Sequence, residues 1–378
     1  MTYEQWVIVA VGACVGAGCA LIGAFLVLRK IAMLGDAISH AVLPGIAIAF
    51  LLSGSRATLP MVIGAGIFGV LTVVLVGALS RTRRINEDAS IGVVFPALFS
   101  VGVILISKYA AGVDLDLDCV LFGEIAYSAL DTLRVGGASL GPRPLWITGG
   151  ILLVNLVVVL VFFKELKLTS FDPELAAAIG ISPVVMHYVL MSAVSVTVVG
   201  SFESVGAILV VAMLIVPPAT AYLLTNSLAM MLVLSALCGA ASAVGGYAVS
   251  AWLDCSVAGA MATVSGLMFV VALVLSPRYG LVAQAWARAL LGRRMREQLV
   301  LLHLGSASAQ HGTAAAELAQ RFRWRAAQAE RLLGGLERRK QVERVGDGWR
   351  LTSYGTEAIE RAGKDVLRHA DEDGGGAA

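Results

Sequence analysis

Asp36 and His40 lie four residues apart in the stretch MLGDAISHAVLPGIAIAF, Met33 to Phe50. The rest of the stretch is apolar enough to enter a bilayer. There a charged side chain costs about 2.5–3.5 kcal/mol at the centre of a helix and marks a functional position. Residues four apart share a helix face. A carboxylate oxygen beside an imidazole nitrogen suits a first-row divalent cation such as manganese, iron or zinc. The plainer reading is a buried Asp–His hydrogen bond that fastens two helices. At 1.5 Å per residue, His40 lies about 14 Å into a span starting at Ile31, near mid-membrane. Three neighbours are expected to shape this helix. Ser39 adds a third polar group near the same face, Gly35 belongs with them in shaping the helix, and Pro44 deprives the His40 carbonyl of its donor and kinks the chain. A kinked helix with polar groups belongs along a pathway rather than against lipid.

The elements that must hold this pair follow from composition. The 378 residues are 58% hydrophobic and 14% charged, with a mean hydropathy of +0.84; soluble domains carry nearer to about 25% charged. A polytopic membrane protein is expected. A span needs about 20 apolar residues, and the candidates are Trp6–Leu28, Ile31–Leu52, Met61–Leu79, Ala89–Ile106, Leu145–Phe163, Val184–Val199, Val205–Leu224, Ser227–Val249 and Val257–Leu275. The sixth and seventh, separated by Gly200–Ser204, could be one broken helix and a half-helix, so the count is eight to nine. A cleaved signal is not expected at the N-terminus, which carries Glu4 rather than a basic cluster and an apolar run too long for one. Basic loops at Arg29-Lys30, Arg81–Arg84, Lys164–Lys167 and Pro277–Tyr279 each follow an odd-numbered span. They are cytoplasmic together if the N-terminus is outside. Segment Ala111–Arg143, with Asp114, Asp116, Asp118, Glu124 and Asp131, is then an acidic outer face that could include a short surface helix. Cys119 and Cys255 fall on that side, which leaves a disulfide open, although sequence supplies no geometry for it. Gly12 and Gly16 form a G-x-x-x-G that permits close helix approach.

Charge divides the chain. Up to Ala287 there are 12 Lys+Arg and 14 Asp+Glu; from Arg288 onward there are 16 and 12. The expected organisation is a transmembrane domain at 1–284, a small cytoplasmic domain at 285–370 and a disordered end at 371–378.

The stretch GDAISHAVLPGIAIAF resembles the signature of the permeases of manganese/zinc/iron ABC importers, the ABC-3 family. Three further stretches are similar to that family in the same order: RTRRINEDASIGVVFPALFSVGVILIS, KLTSFDPELAAAIGI and VGAILVVAMLIVPPATAYLL. The resemblance covers about Trp6 to Tyr279. It implies a permease pair, formed by a second copy or a paralogue, powered by cytoplasmic ATPase subunits and supplied by an extracytoplasmic metal-binding protein. It also implies that Asp36 and His40 contact the metal in transit. The sequence contains no G-x-x-x-x-G-K-[ST], so the ATPase is expected on a partner and no catalytic constellation is visible.

In SFDPELAAAIGI, Asp172 can cap a helix that opens with Pro173 and Glu174, and Gly180 can end it. Phe171, Asp172, Glu174, Ala177 and Gly180 therefore define a short helix with a small-residue face. By resemblance it is the coupling helix that docks on the ATPase; otherwise it is an ordinary turn between spans. Glu87-Asp88 is either a second cytoplasmic contact or a solvated charge run.

The tail reads helix, helix, helix, hairpin, helix. Arg293–Leu304 is amphipathic, Thr313 is a candidate cap for a helix to Phe322, and Arg325–Lys340 has Ala329, Leu332, Leu333 and Leu336 on one face. QVERVGDGWRLT signals a hairpin around Gly346–Gly348. This order resembles a winged helix-turn-helix like that of metal-responsive repressors of the diphtheria-toxin-repressor type. That would make Arg325, Arg331, Arg338 and Arg339 part of a recognition helix, with Arg344 and Arg350 flanking the wing, available to DNA or to a protein partner. His303 and His311 are candidate sensor ligands, but the tail has no Cys and no dense His/Asp/Glu cluster. The leading function is a divalent-metal permease, with manganese or iron favoured over zinc. The alternative is a membrane-anchored metal-responsive transcription regulator.

Overall fold

The computed structural model describes residues 2–53, 58–80, 82, 86–109, 125–135, 138–277, 280–306 and 313–359. The chain divides into two compact units, Met1–Leu281 and Val282–Ala378. Among the described residues of the first, nine helices are long and apolar enough to cross a bilayer. They belong to α1 (Tyr3–Leu28), α2 (Ala32–Ser53), α3 (Thr58–Ser80), α4 (Glu87–Tyr109), α5 (Arg143–Val161), α8 (Pro183–Val205), α9 (Ala207–Leu224), α10 (Leu228–Leu253) and α11 (Val257–Leu275). Two short helices, α6 (Phe163–Phe171) and α7 (Pro173–Ala178), connect α5 to α8.

α1 is the central post. It packs against α5, α8, α9 and α10, whereas α2 packs against α3, α4 and α8. Its G-x-x-x-G lies where the sequence places it. A Cβ on Gly16 would sit 2.7 Å from the Gly239 carbonyl of α10, so only glycine permits this backbone-to-backbone crossing. Higher on α1, Gly23 backs onto the Leu214 carbonyl of α9. Pro218, four residues on, has no N–H to offer that carbonyl. A buried polar tie links three helices: Asn155 of α5 donates to the Gly18 carbonyl of α1 at 3.1 Å and to the Thr197 hydroxyl of α8 at 2.7 Å. On the outside, Leu153, Leu160, Val233, Leu237, Leu267 and Val271 are exposed. Apolar surface this extensive requires lipid as its solvent.

The junction between the sixth and seventh spans differs from the expected one. α8 runs unbroken through Gly200–Ser204, and the chain turns at Gly206 alone, with φ 79°. A positive φ costs glycine nothing, so one residue does the work assigned to five. Residues 110–124, including Cys119, Asp114, Asp116, Asp118 and Glu124, lie outside the described residues. The loop that follows contains a 3-10 turn at Ile125–Tyr127 and an antiparallel pair, β1 (Thr132–Val135) and β2 (Ala138–Pro142).

The second unit is built on α12 (Leu281–Ser306), α13 (Ala315–Arg321), α14 (Ala326–Arg338), β3 (Val342–Val345) and β4 (Gly348–Leu351), and residues 353–359 are helical. Val300, Leu301, Leu304, Leu318, Leu333, Leu336 and Val342 form its core. The two-residue turn between β3 and β4 begins at Gly346, with φ 62°. Thr313 is not a helix cap: Ala314 occupies that position, and Thr313 pairs with Trp349 as an isolated β-bridge.

Candidate metal site

α2 begins at Ala32, so Asp36 and His40 fall on its second and third turns. Asp36 Oδ1 and His40 Nε2 are 3.6 Å apart, with side chains 42% and 35% exposed. This is too long for a hydrogen bond and too open for a buried lock. Two ligand atoms each about 2.0–2.2 Å from one cation stand about 3–4 Å apart, so this separation allows both to bind one ion. The His40 ring rests on two aromatic rings of α4, 5.1 Å from Phe95 and 6.2 Å from Phe99 in an edge-on contact. Sequence reasoning missed these phenylalanines. Their i, i+4 spacing was visible, but in an apolar helix it reads as core. Among the described residues, no group of three or more His, Cys, Asp or Glu comes together to hold a metal ion.

Two of the three shaping residues sit at close contacts between helices. Gly35 is buried where an added Cβ would meet the Leu214 side chain of α9. Pro44 is abutted by Gly102 of α4, on which a Cβ would stand 2.8 Å from the proline nitrogen. Ser39 does not join the polar face. It is buried, and its hydroxyl donates to the Gly35 carbonyl at 3.0 Å.

The segment after α5 folds as its cap residues dictate. Asp172 accepts from the Leu175 amide at 2.9 Å, α7 follows, and Gly180 ends it at φ 90°. Ala176 is fully buried, and Glu174 and Ala177 are exposed. The exposed face is more apolar than the expected small-residue face: Phe171, Leu175 and Ile179 are 62%, 49% and 61% exposed at successive four-residue intervals. A second feature was not legible in sequence. Arg29, at the C-cap of α1, donates from Nε to the Ser170 hydroxyl at 3.0 Å and from an Nη to the Thr169 hydroxyl at 2.7 Å. Burial lowers the Arg29 pKa from its ordinary value, but a guanidinium remains charged. Hydrogen bonds to charged donors contribute about 1.5–3 kcal/mol each.

In the second unit, Arg325, Arg331 and Arg338 are exposed on or beside α14. Arg338 donates from Nε to the Gly334 carbonyl at 3.3 Å on its own helix, and the other three candidate arginines have side-chain partners within the unit. Arg339 pairs with Glu297 of α12 at 3.0 Å, Arg350 with Glu343 across the hairpin at 2.6 Å, and Arg344 lies 6.0 Å over the Trp349 ring. His303 packs edge-on against Phe322; His311 lies outside the described residues.

Residues 2–276 match the model of the ABC 3 transport family. This chain belongs to that family. Among curated family members, it is 50% identical over 284 residues to the manganese transport system membrane protein MntD of Bacillus subtilis, covering 75% of this chain and 96% of that protein. It is 40% identical over 374 residues to the zinc transport system membrane protein TroD of Treponema pallidum, covering 97% of this chain and 100% of that protein. The TroD similarity therefore takes in the C-terminal unit as well as the permease. Among solved structures, PsaBC from Streptococcus pneumoniae in complex with Fab aligns with a TM-score of 0.62 at 33% identity, over 74% of this chain and 94% of that one.

Proposed function

We propose that this chain is the membrane-spanning permease subunit of an ATP-binding cassette importer that carries a divalent transition metal into the cytoplasm. The observation that carries this reading is the half-exposed Asp36–His40 pair, 3.6 Å apart on α2, inside a chain of the ABC 3 transport family. The metal is cargo. It is handed over on the outer face by an extracytoplasmic binding protein, held by Asp36 and His40, and released inward by alternating access. One such pair supplies two ligands. A first-row cation takes four to six, so a second permease copy or a paralogue completes the shell together with water. ATP is hydrolysed by partner subunits that dock on the Phe171–Gly180 segment. Manganese or iron is favoured over zinc. The relatives' names include both manganese and zinc, and an Asp/His donor set serves all three.

For residues 285–370 we propose a cytoplasmic winged helix-turn-helix. Its support is the helix order, the core and the Thr313–Trp349 bridge beside the hairpin. With Arg339, Arg344 and Arg350 engaged inside the unit, contact with the ATPases or the second permease is favoured over DNA. The comparisons give no support to a membrane-anchored regulator.

The test is uptake of radiolabelled manganese, iron and zinc by a strain lacking its own importers, producing this chain with its ATPase and binding protein. ATP-dependent uptake of manganese or iron above zinc is expected. No uptake of any of the three would overturn the reading.

A further inference from the structure

The three residues Arg29, Thr169 and Ser170 join two parts of the chain 140 positions apart, and nothing in the pathway or the docking surface accounts for them. Arg29 closes α1. Its own amide bonds the Phe25 carbonyl at 3.0 Å, Lys30 turns the chain with φ 60°, and the Ile31 amide returns to the Leu26 carbonyl at 3.0 Å. α2 starts one residue later, with Asp36 just above. The turn is thus held by its own backbone hydrogen bonds and has little freedom of its own.

The acceptors are equally constrained. The Thr169 hydroxyl is bonded to the Glu165 carbonyl and the Ser170 hydroxyl to the Leu166 carbonyl, so each hydroxyl donates backward along α6 and offers its lone pairs to Arg29. Thr169 is buried, and Leu166 beneath it is fully buried. Phe171 and Asp172 follow directly, and Asp172 caps α7. A planar guanidinium that donates through two nitrogens to adjacent hydroxyls fixes orientation as well as distance.

We infer that Arg29 is a positioning residue that fastens the ATPase-docking segment to the α1–α2 turn, so that displacement of α7 reaches the helix carrying Asp36 and His40. The inference rests on the permease reading above. Arg29 touches neither the metal nor the ATPase. It is the link by which hydrolysis is converted into movement of the pathway. Its loss separates the two activities: ATP is still hydrolysed and metal is still bound, but little is carried per ATP.

The experiment uses the full chain with its ATPase and its binding protein in proteoliposomes. Manganese uptake and ATP hydrolysis are measured together, and manganese binding is measured by equilibrium dialysis on the detergent-solubilised complex. For Arg29→Gln, manganese carried per ATP is expected to fall at least tenfold, with binding within twofold of the unaltered complex. The pair Thr169→Val with Ser170→Ala removes the same bonds from the other side and is expected to give the same ratio. Combining all three changes is expected to be no worse than either alone. This second variant keeps the test open if Arg29→Gln does not accumulate. A structural role alone would lower uptake and hydrolysis in proportion; an unchanged ratio in both variants therefore overturns the inference. If the unaltered complex carries no manganese with ATP, the permease reading falls and takes this inference with it. If it does and the ratios do not move, only the link is lost.

Discussion

Asp36 and His40 could be found in the sequence because a charged residue inside an apolar run has nowhere to hide, and because a four-residue spacing fixes a shared helix face. The residues around them could not be sorted in the same way. Ser39 looked like a third polar group, but a serine in a helix can satisfy itself on the carbonyl four residues back, and here it does. Phe95, Phe99, Arg29 and Asn155 act through partners distant in sequence, which no local spacing reveals. Asn155 gives a prediction at this scale. Asn155→Leu removes the donor to Gly18 and Thr197. Interhelical hydrogen bonds in membrane bundles contribute about 0.6 kcal/mol and up to about 1.7, so a small loss of thermal stability in detergent is expected, with uptake retained. Complete loss of folded protein would show that this tie has a larger role.

Among the elements, helix positions followed from length and hydropathy, and the α7 helix from its cap residues. The breaks were harder. Gly206 ends α8 because a single positive φ suffices, although the polar Gly200–Ser204 run looked like the natural boundary. Around α7 the exposed apolar residues are Phe171 at the end of α6, Leu175 within α7 and Ile179 at its C-cap. Leu175→Asp is expected to leave folding unchanged, since the side chain is already exposed, and to weaken ATPase association. Losing an anchor of about 2 kcal/mol is roughly thirtyfold in affinity, measurable by co-purification or titration of the ATPase. At the α1–α10 crossing, Gly16→Leu forces the helices apart. Overpacking costs about 1–3 kcal/mol or more, so a lower melting temperature is expected for this variant than for Gly149→Leu, where an added Cβ meets nothing within 4 Å.

At the scale of the molecule, the division into an apolar and a basic part was plain from charge alone, and the structure has two compact units with separate cores. The second core is small. Leu333→Ala in the full chain empties a fully buried site and costs about 2–5 kcal/mol, enough to unfold a unit of this size. Limited proteolysis is expected to remove the C-terminal unit early and leave the membrane unit intact; simultaneous loss of both would show that they share one cooperative fold. The second permease copy, the ATPases and the binding protein were legible only through family resemblance, because surfaces that await a partner look in sequence like any other surface.

The central claim is that Asp36 and His40 hold the metal in transit. Its most direct test is manganese uptake in an importer-deficient strain producing the full transporter with Asp36→Ala or His40→Ala, with the amount of each variant in the membrane measured alongside. The account predicts uptake at background for both, with each variant inserted at the level of the unaltered chain. Unchanged uptake in both would contradict it.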